Sequence, residues 1–491
     1  MTRSPSPNSR LPAAGDDGGD TLATTYATPS ADTLPLPPAH VHLVGIGGAG
    51  VSGLARMLHG RGYRVSGSDM HASETTADLA ALGISVQIGH HAAHVAGADL
   101  VVATAAARDT NPEIAAARVT GIPLLKRAAL LGMLANPRQC LAVAGSHGKS
   151  TTSGMATLAL EQAGVDPAFA IGATVRELGQ NARDGSGPHF VVEADEYDYS
   201  FLWLRPQVAI ITNIEFDHPD LFADRAAVLR AFERFIEGIN PGGTLVLNAD
   251  DDGCRDLLAA RDANPAANTA YAVVTFGAES GDWRLVDTAD GPAAQDPHGQ
   301  MFALSLSVPG RHNLMNALAV LAASSGLRVV PAALLPGLQA FGGVSRRFET
   351  LRSDDTRVVI SDYAHHPTEV AATILAARQR YPVRRIMAIF QPHTYTRTAA
   401  LLDEFAAALA LADDVVLADI YASRETDTLG ITADDIAQRM PTPATRAADW
   451  HNTVSVVRDI TQAGDVLLIM GAGDIHQAAL VLASDVTGGA A

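Results

Sequence analysis

From residue 40 onward the chain alternates short apolar runs with longer amphipathic stretches, the pattern of strands and helices stacked in α/β layers. The spacing predicts strands over 40–44, 64–67, 100–104, 140–144, 190–193, 208–213, 244–248, 357–361, 385–390, 414–418 and 465–470. Val51, Leu54, Ala55 and Leu58, spaced i, i+3, i+4, i+7, predict a helix just after the first strand. Three strands run into glycines, near Gly45, Gly145 and Gly471, which predicts three α/β units in place of one large sheet. Boundaries are expected near Asn136-Pro137 and Phe341-Gly342-Gly343. The stretch 278–299 is polar and turn-rich and reads as a loop or a small excursion. Residues 1–38 are rich in Ser, Thr, Pro, Asp and Gly, lack the apolar segment of a secretion signal, and read as a disordered tail. The expected division is therefore a tail at 1–38 and units at 39–137, 138–341 and 342–491.

Length agrees with this count, since 491 residues at about 150 per domain make about three. A formal net charge of −18 argues against nucleic acid or an anionic membrane as the main partner. It leaves room for a phosphorylated substrate, which needs only a local nest of N–H groups and one or two cations. Two cysteines, Cys140 and Cys254, cannot form a disulfide framework, and a reducing cytoplasmic setting is expected. No apolar run reaches the ~18 residues of a spanning helix, so no membrane insertion is expected.

The first glycine passage, residues 40–58, carries Gly45, Gly47 and Gly50 as G-x-G-x-x-G between a strand and a helix, with Gly48 inside it. Such glycines let the backbone turn tightly and approach a diphosphate at the positive helix N-terminus. The next strand ends at Ser68-Asp69, where a carboxylate could meet a ribose hydroxyl. NAD and another diphosphate, such as a nucleotide sugar, fit equally, because the glycines see the diphosphate alone. The second passage reads Gly145-Ser146-His147-Gly148-Lys149-Ser150-Thr151 after an apolar strand. It is a shortened phosphate loop, G-x-x-G-K-[ST], with Val143 where the first glycine of the longer motif would stand. Loop N–H groups cradle phosphates, Lys149 reaches the β/γ oxygens, and the Ser150 hydroxyl can ligate Mg²⁺. The chain has only two lysines, Lys126 and Lys149; every other side-chain cation apart from histidine is arginine. A compact point charge is what a phosphate loop needs and what a planar guanidinium cannot supply.

Further chemistry lies at later strand ends. The segment FVVEADEYD puts Glu193, Asp195 and Glu196 at the carboxyl end of an apolar strand, with Glu193 and Asp195 on one face, either holding Mg²⁺ against phosphates or forming a solvated acidic turn. The segment TNIEFDH offers His218 as a metal ligand or as a hydrogen-bonded core histidine. His365-His366 reads as a packed or capping pair ahead of a metal site, and Arg346-Arg347 as a phosphate contact or a helix cap.

Taken together, GIGGAGVSGLA, GSHGKSTT, EADEYD, TNIEFDH, HNLMNALA, GVSRRFE, DYAHHPTE, FQPHTYTRT and MGAGDI occur in this order over about 450 residues, and in this the chain resembles the Mur ligases. The resemblance implies an α/β protein of three domains: a Rossmann-like UDP-binding domain, a central P-loop ATPase domain and a C-terminal Rossmann-like domain. It implies ATP-dependent amide formation in peptidoglycan precursor synthesis, joining L-alanine to the lactyl carboxylate of UDP-N-acetylmuramate through an acyl phosphate, with Mg²⁺. By the same resemblance Gly45, Gly47, Gly48 and Gly50 face the diphosphate and Asp69 the uridine. Residues 145–151 hold ATP phosphates; Ser150, Glu193 and His218 are the metal set; Asn313 and Asn316 reach adenine; Arg347 and Asp362 close on ATP. Tyr363, His365, His393 and Arg397 line the pocket for the amino acid and acyl phosphate. Thr394 stands where some members have arginine. Sibling ligases use a carbamylated lysine, for which this chain has no spare residue. A ligase that attaches a recycled murein tripeptide to the same sugar nucleotide is the nearest alternative; an NAD-dependent oxidoreductase and a non-catalytic nucleotide switch are the others. A monomer or weak homodimer is expected.

Overall fold

A computed structural model describes residues 34–263 and 271–485. The expected disordered tail falls largely on residues 1–33, outside the described residues. The strands assemble into three separate sheets. In the first, β1 (His40–Val44), β2 (Arg64–Asp69), β3 (Ser85–Ile88), β4 (Leu100–Ala103) and β5 (Leu124–Lys126) are ordered β3-β2-β1-β4-β5. All its pairs are parallel. The central sheet holds β6 (Gln139–Ala144), β7 (Ala168–Val175), β8 (Gln180–Arg183), β9 (His189–Glu193), β10 (Val208–Ile211), β11 (Thr244–Asn248), β12 (Ala272–Gly277), β13 (Trp283–Thr288), β14 (Gly291–Gln295) and β15 (Met301–Ala303). Its order is β15-β14-β13-β12-β11-β10-β6-β9-β7-β8. The third contains β16 (Glu349–Ser353), β17 (Arg357–Asp362), β18 (Ile386–Phe390), β19 (Asp414–Ala418), β20 (Thr445–Ala447) and β21 (Asp465–Met470), ordered β16-β17-β21-β18-β19-β20.

All eleven segments read as strands from the sequence are strands here. The central ones are near-continuous apolar runs because helices cover both faces of a parallel sheet. Val208–Ile211 and Ile386–Phe390, for example, are buried along their whole length. The stretch 278–299 differs from its reading: it contains the antiparallel hairpin of β13 and β14, which extends the central sheet. Trp283 and Leu285 alternate inward and are buried with Ala294, so a short period-two signal is hidden among polar and turn residues. Gly291 opens the return strand at φ 114°, a conformation that suits glycine.

Hydrophobic packing divides the molecule unevenly. One continuous core runs from the first sheet, through Leu43 and Leu130, into the central unit at Phe190, Phe201 and Phe235. The third sheet packs its own two cores, one on each face. The first unit also buries a polar knot: Glu113, fully enclosed, accepts hydrogen bonds from Ser68 Oγ (2.5 Å) and pairs with His94 Nδ1 (2.6 Å), with His42 Nε2 at 3.6 Å.

In the first two sheets a strand near the middle, β1 or β6, has neighbours reached by opposite crossovers, and the crevice beyond its carboxyl end is where α/β ligands sit. Gly45 follows β1 and Gly145 follows β6, so the first two glycine passages occupy these crevices. No helix among the described residues is long and apolar enough to cross a membrane.

Candidate functional site

The first loop is held from below by the residue that the sequence singled out beside it. Gly45 N donates to Ser68 O (2.8 Å), and Gly47 N donates to the Asp69 carboxylate (2.9 Å). Gly45 sits at φ 79°, and a Cβ there would lie 2.7 Å from Thr104 Cγ2. The helix Ala49–Gly60 then starts with Gly48 as its cap, and Val51, Leu54, Ala55 and Leu58 are all buried as the spacing predicts. A cavity of about 290 Å³ opens at this helix start, lined by Gly48, Gly50, Arg127 and Asn181 on one side and by Glu193 and Asp195 on the other. Arg127 is the cation of this pocket, and no motif in the sequence pointed to it.

The second loop leaves β6 and enters the helix Lys149–Gln162, whose cap, Gly148, is left-handed at φ 81°. Lys149 Nζ folds back over the loop, donating to Gly145 O (2.6 Å), Ser146 O (3.2 Å) and the Glu196 carboxylate (2.8 Å). Burial alone would weaken its charge, but Glu196, Asp195 and Glu193 together hold its pKa above the usual value. Glu196 is itself raised, by burial first, with Lys149 opposing. The loop is pinned to its neighbour strand: His147 N donates to Asn213 Oδ1 (2.8 Å), and Glu215 N donates to Ser146 Oγ (2.8 Å). Thr151 follows in the first turn of the helix, and Ser150 is buried beside it.

The acidic strand end separates its three carboxylates. Glu193 accepts from Gly172 N (2.7 Å), while the chain leaves β9 through a turn in which Asp198 and Tyr199 have positive φ. Glu196, just ahead of those residues, lies against Lys149. His218, with φ 55°, has Nε2 at 3.8 Å from Glu196 and 3.7 Å from Asp217. The carboxylates facing His218 are thus those of Asp217 and Glu196, and not that of Glu193, which the resemblance grouped with it. Lys126 ends β5, just before the helix Arg127–Ala135, and its ammonium pairs with Asp198 (2.9 Å).

A second cavity, about 170 Å³, is lined by Gly148, Ser150, Thr151, Asn313, Asn316 and Arg347, with Asp362 and Glu369 beyond. Asn313 Nδ2 donates to Pro309 O (2.6 Å), and Asn316 Nδ2 to Asn313 Oδ1 (3.3 Å). The Arg347 guanidinium donates to Glu369 (2.8 Å) and lies over the Tyr363 ring at 5.1 Å. Asp362 accepts from Phe348 N (2.6 Å) and Ala364 N (2.7 Å), and burial lifts its pKa to about 6.

The remaining third-domain residues gather against the central domain. His365 and His393 rings are 5.9 Å apart, and burial lowers their pKa values to about 3 and about 4, so both are neutral imidazoles at physiological pH. Tyr363 stands edge-on to His365 at 5.2 Å. Arg397 Nε donates to Asp217 Oδ1 (2.7 Å) in an ion pair whose side chains are 4% and 6% exposed. The Asp217 pKa falls far below the carboxylate range, because Arg397 and His218 outweigh its burial. Of the sequence-named residues, His147, Gly148, Ser150, Thr151, Asn313, Asn316, Arg347 and Asp362 thus line one cavity between the central and third units, and Gly48, Gly50, Glu193 and Asp195 line the other.

Comparison with known proteins gives a consistent result over the whole described chain. Residues 40–139 match "Mur ligase family, catalytic domain", 143–324 "Mur ligase middle domain" and 346–473 "Mur ligase, glutamate ligase domain". The chain is 44% identical over 471 residues to a UDP-N-acetylmuramate–L-alanine ligase of Saccharopolyspora erythraea, covering 93% of this chain and 95% of that protein. It is 45% identical over 480 residues to the ligase of the same name from Frankia casuarinae, covering 89% and 95%. Among solved structures, the UDP-N-acetylmuramate-alanine ligase of Thermotoga maritima is similar at TM-score 0.74 and 30% identity, covering 90% of this chain and 98% of that one. A murein peptide ligase of Psychrobacter arcticus is similar at TM-score 0.69 and 26% identity, covering 92% and 100%.

Proposed function

The chain belongs to the Mur ligase family, and from that premise we propose that it joins L-alanine to the lactyl carboxylate of UDP-N-acetylmuramate, converting ATP to ADP and phosphate. The observation that carries this reading is the meeting of two cavities. Glu193 and Asp195 line the one at the Gly48–Gly50 helix start, and both act on Lys149, whose neighbours Gly148 and Ser150 line the other. A sugar nucleotide in the first pocket and ATP in the second would bring a carboxylate and a γ-phosphate to the same lysine.

A carboxylate is a poor acyl donor because oxide is a poor leaving group. Phosphorylation by ATP makes an acyl phosphate, and attack by the alanine amine expels phosphate through a tetrahedral intermediate. The first step brings anions together, so positioning and charge neutralisation dominate it. Lys149 would exchange its contacts with loop carbonyls and Glu196 for phosphate oxygens. Loop N–H groups from Gly145 to Thr151 would hold the phosphates, with Asn313 and Asn316 near the base and Arg347 and Asp362 closing from the third domain. Gly45, Gly47, Gly48 and Gly50, with Arg127, would receive the diphosphate, and Asp69 would hold the loop that shapes the uridine end.

The donors around Lys149 suit Mg²⁺: a buried hydroxyl at the helix start and several carboxylates are hard oxygen ligands. Ser150, Glu193 and Glu196, with His218, would hold it, and when bound it would neutralise phosphate charge. Tyr363, His365, His393 and Arg397 would line the amine pocket. The two histidines are held uncharged there by burial, so they would line the pocket without setting a cation against the incoming ammonium. Closing of the third domain, held by Arg397 and Asp217, would exclude water from the acyl phosphate. The proposal takes the protein to be a monomer or weak homodimer acting in the cytoplasm.

Mass spectrometry of the product formed from ATP, UDP-N-acetylmuramate and an equal mixture of L-alanine and murein tripeptide tests the reading. The alanyl product is expected. Tripeptide product alone would transfer the chain to the recycling ligases, and ADP release without any new C–N bond would sink the proposal.

A further inference from the structure

Among the described residues, one trio of ligating side chains stands apart from the carboxylates around Lys149. His147 lies on the phosphate loop, Glu215 follows β10, and His366 caps the helix Pro367–Arg380 of the third domain. One ligand atom from each lies within 4.8 Å of the others. His147 Nε2 is 3.6 Å and His366 Nδ1 is 3.7 Å from the same carboxylate oxygen, Glu215 Oε2, and the two rings are 4.6 Å apart. A tetrahedral metal with bonds of about 2.0–2.1 Å sets its ligand atoms about 3.3 Å apart, so the trio would draw together around the ion and leave the fourth position to water.

Two further observations point to a ligand. His147 Nε2, the nitrogen that faces Glu215, is buried without a hydrogen-bond partner, an arrangement that native structures seldom leave unanswered, while His366 Nδ1 accepts from Thr368 N at 3.4 Å. Behind His147, its other nitrogen Nδ1 faces Glu369 Oε1 at 3.5 Å, and behind Glu215, Thr368 Oγ1 donates to Oε2 at 2.7 Å. Supporting carboxylates and hydroxyls of this kind orient metal ligands and raise their basicity. There is also a way in: Glu215 and His366 line an open cavity of about 770 Å³ whose walls include Asp250, Asp251, Asp252 and Glu404.

We propose that His147, Glu215 and His366 form a transition-metal site, separate from the oxygen donors that face the phosphates, which takes Zn²⁺ or Co²⁺ and bridges the central and third domains. Two imidazoles and one carboxylate select these ions over Mg²⁺, which prefers oxygen donors and keeps its water. His147 and Glu369 also line the nucleotide cavity, so the metal would tie the phosphate loop to the third domain in the closed arrangement. The site does not depend on which amino acid is ligated.

The test is a Co²⁺ titration of the full chain in saturating Mg²⁺, read by visible absorption. One equivalent with the intense band of tetrahedral Co²⁺ is expected, with affinity falling about 10–100-fold in Glu215→Gln and His366→Gln and unchanged in His218→Ala. No such band, or a band lost in His218→Ala and kept in His366→Gln, would overturn the proposal. Should the His366 variant fail to fold, X-ray absorption of the Zn²⁺-loaded unmodified chain decides: imidazole scattering supports the site, and an oxygen-only shell refutes it.

Discussion

Replacing Asp217 with alanine should release the third domain from the central one. The carboxylate and the Arg397 guanidinium are 2.7 Å apart with side chains 6% and 4% exposed, and among the described residues the two cores of the third sheet draw no residue from the central unit, unlike the core shared by the first and central units. Removing one partner of such a buried pair costs about 3–5 kcal/mol, since the other charge is left without water or counter-ion. Arg397 can recover its hydration by opening the cleft, so the cost falls on the closed arrangement alone. Even about 3 kcal/mol moves that equilibrium by more than about a hundredfold. Hydrogen exchange at the helix Tyr395–Ala400 should therefore accelerate by a comparable factor, while exchange within β6 stays slow. Turnover should fall with it. Asp217→Asn, which keeps an acceptor oxygen but not the charge, should lie between the two. If the helix at 395–400 exchanges at its original rate in a folded Asp217→Ala chain, the pair does not hold the domains together.

Lys149→Arg should abolish measurable turnover, a loss of about a thousandfold or about 4 kcal/mol, although charge is conserved. The ammonium sits within 2.6 Å of one loop carbonyl and 2.8 Å of Glu196, a space that a planar guanidinium does not fit; single-turnover ADP formation measures it. Gly148→Ala adds a Cβ 2.9 Å from Asn316 Oδ1 at φ 81°, and should raise the apparent KM for ATP about tenfold with a smaller change in kcat. Glu113 governs acid stability. Burial would raise its pKa, but hydrogen bonds from His42, Ser68 and His94 bring it down to about 2. Its stabilisation is therefore full above the ordinary value of 4.5 and is lost as the pH falls toward 2. Glu113→Gln should lower the melting midpoint at pH 7 by about 2–5 °C, a gap that calorimetry should find closing toward pH 3; a constant gap would refute the assignment.

Much of the site was readable before any coordinates because phosphate chemistry imposes order on the chain. Glycines at φ 79° and 81° after apolar strands, and one lysine in a chain of arginines, are local signals. The carboxylates were harder. Two-residue periodicity correctly set Glu193 and Asp195 on one cavity wall, but β9 stops at Glu193. Glu196, three residues on and already in right-handed helical backbone, turns inward to Lys149, and no strand period describes such a turn. Arg127 gives no such signal, because a single arginine opening a buried apolar helix belongs to no motif. The approach of His366 to His147 joins residues far apart in sequence, so it depends on how the domains close and leaves no local trace. The hairpin at β13 and β14 was obscured for the opposite reason: its inward alternation is only two or three residues long.

The scarcity of lysine gives the molecule a narrow chemical profile. Of its two side-chain amines, one is engaged by Asp198 and the other by the phosphate loop. Amine-directed acylating reagents will therefore find almost nothing to label on the surface. Because Lys149 is the amine that a nucleotide would shield, the yield of such labelling becomes a direct gauge of occupancy in unmodified protein, with no engineered reporter required.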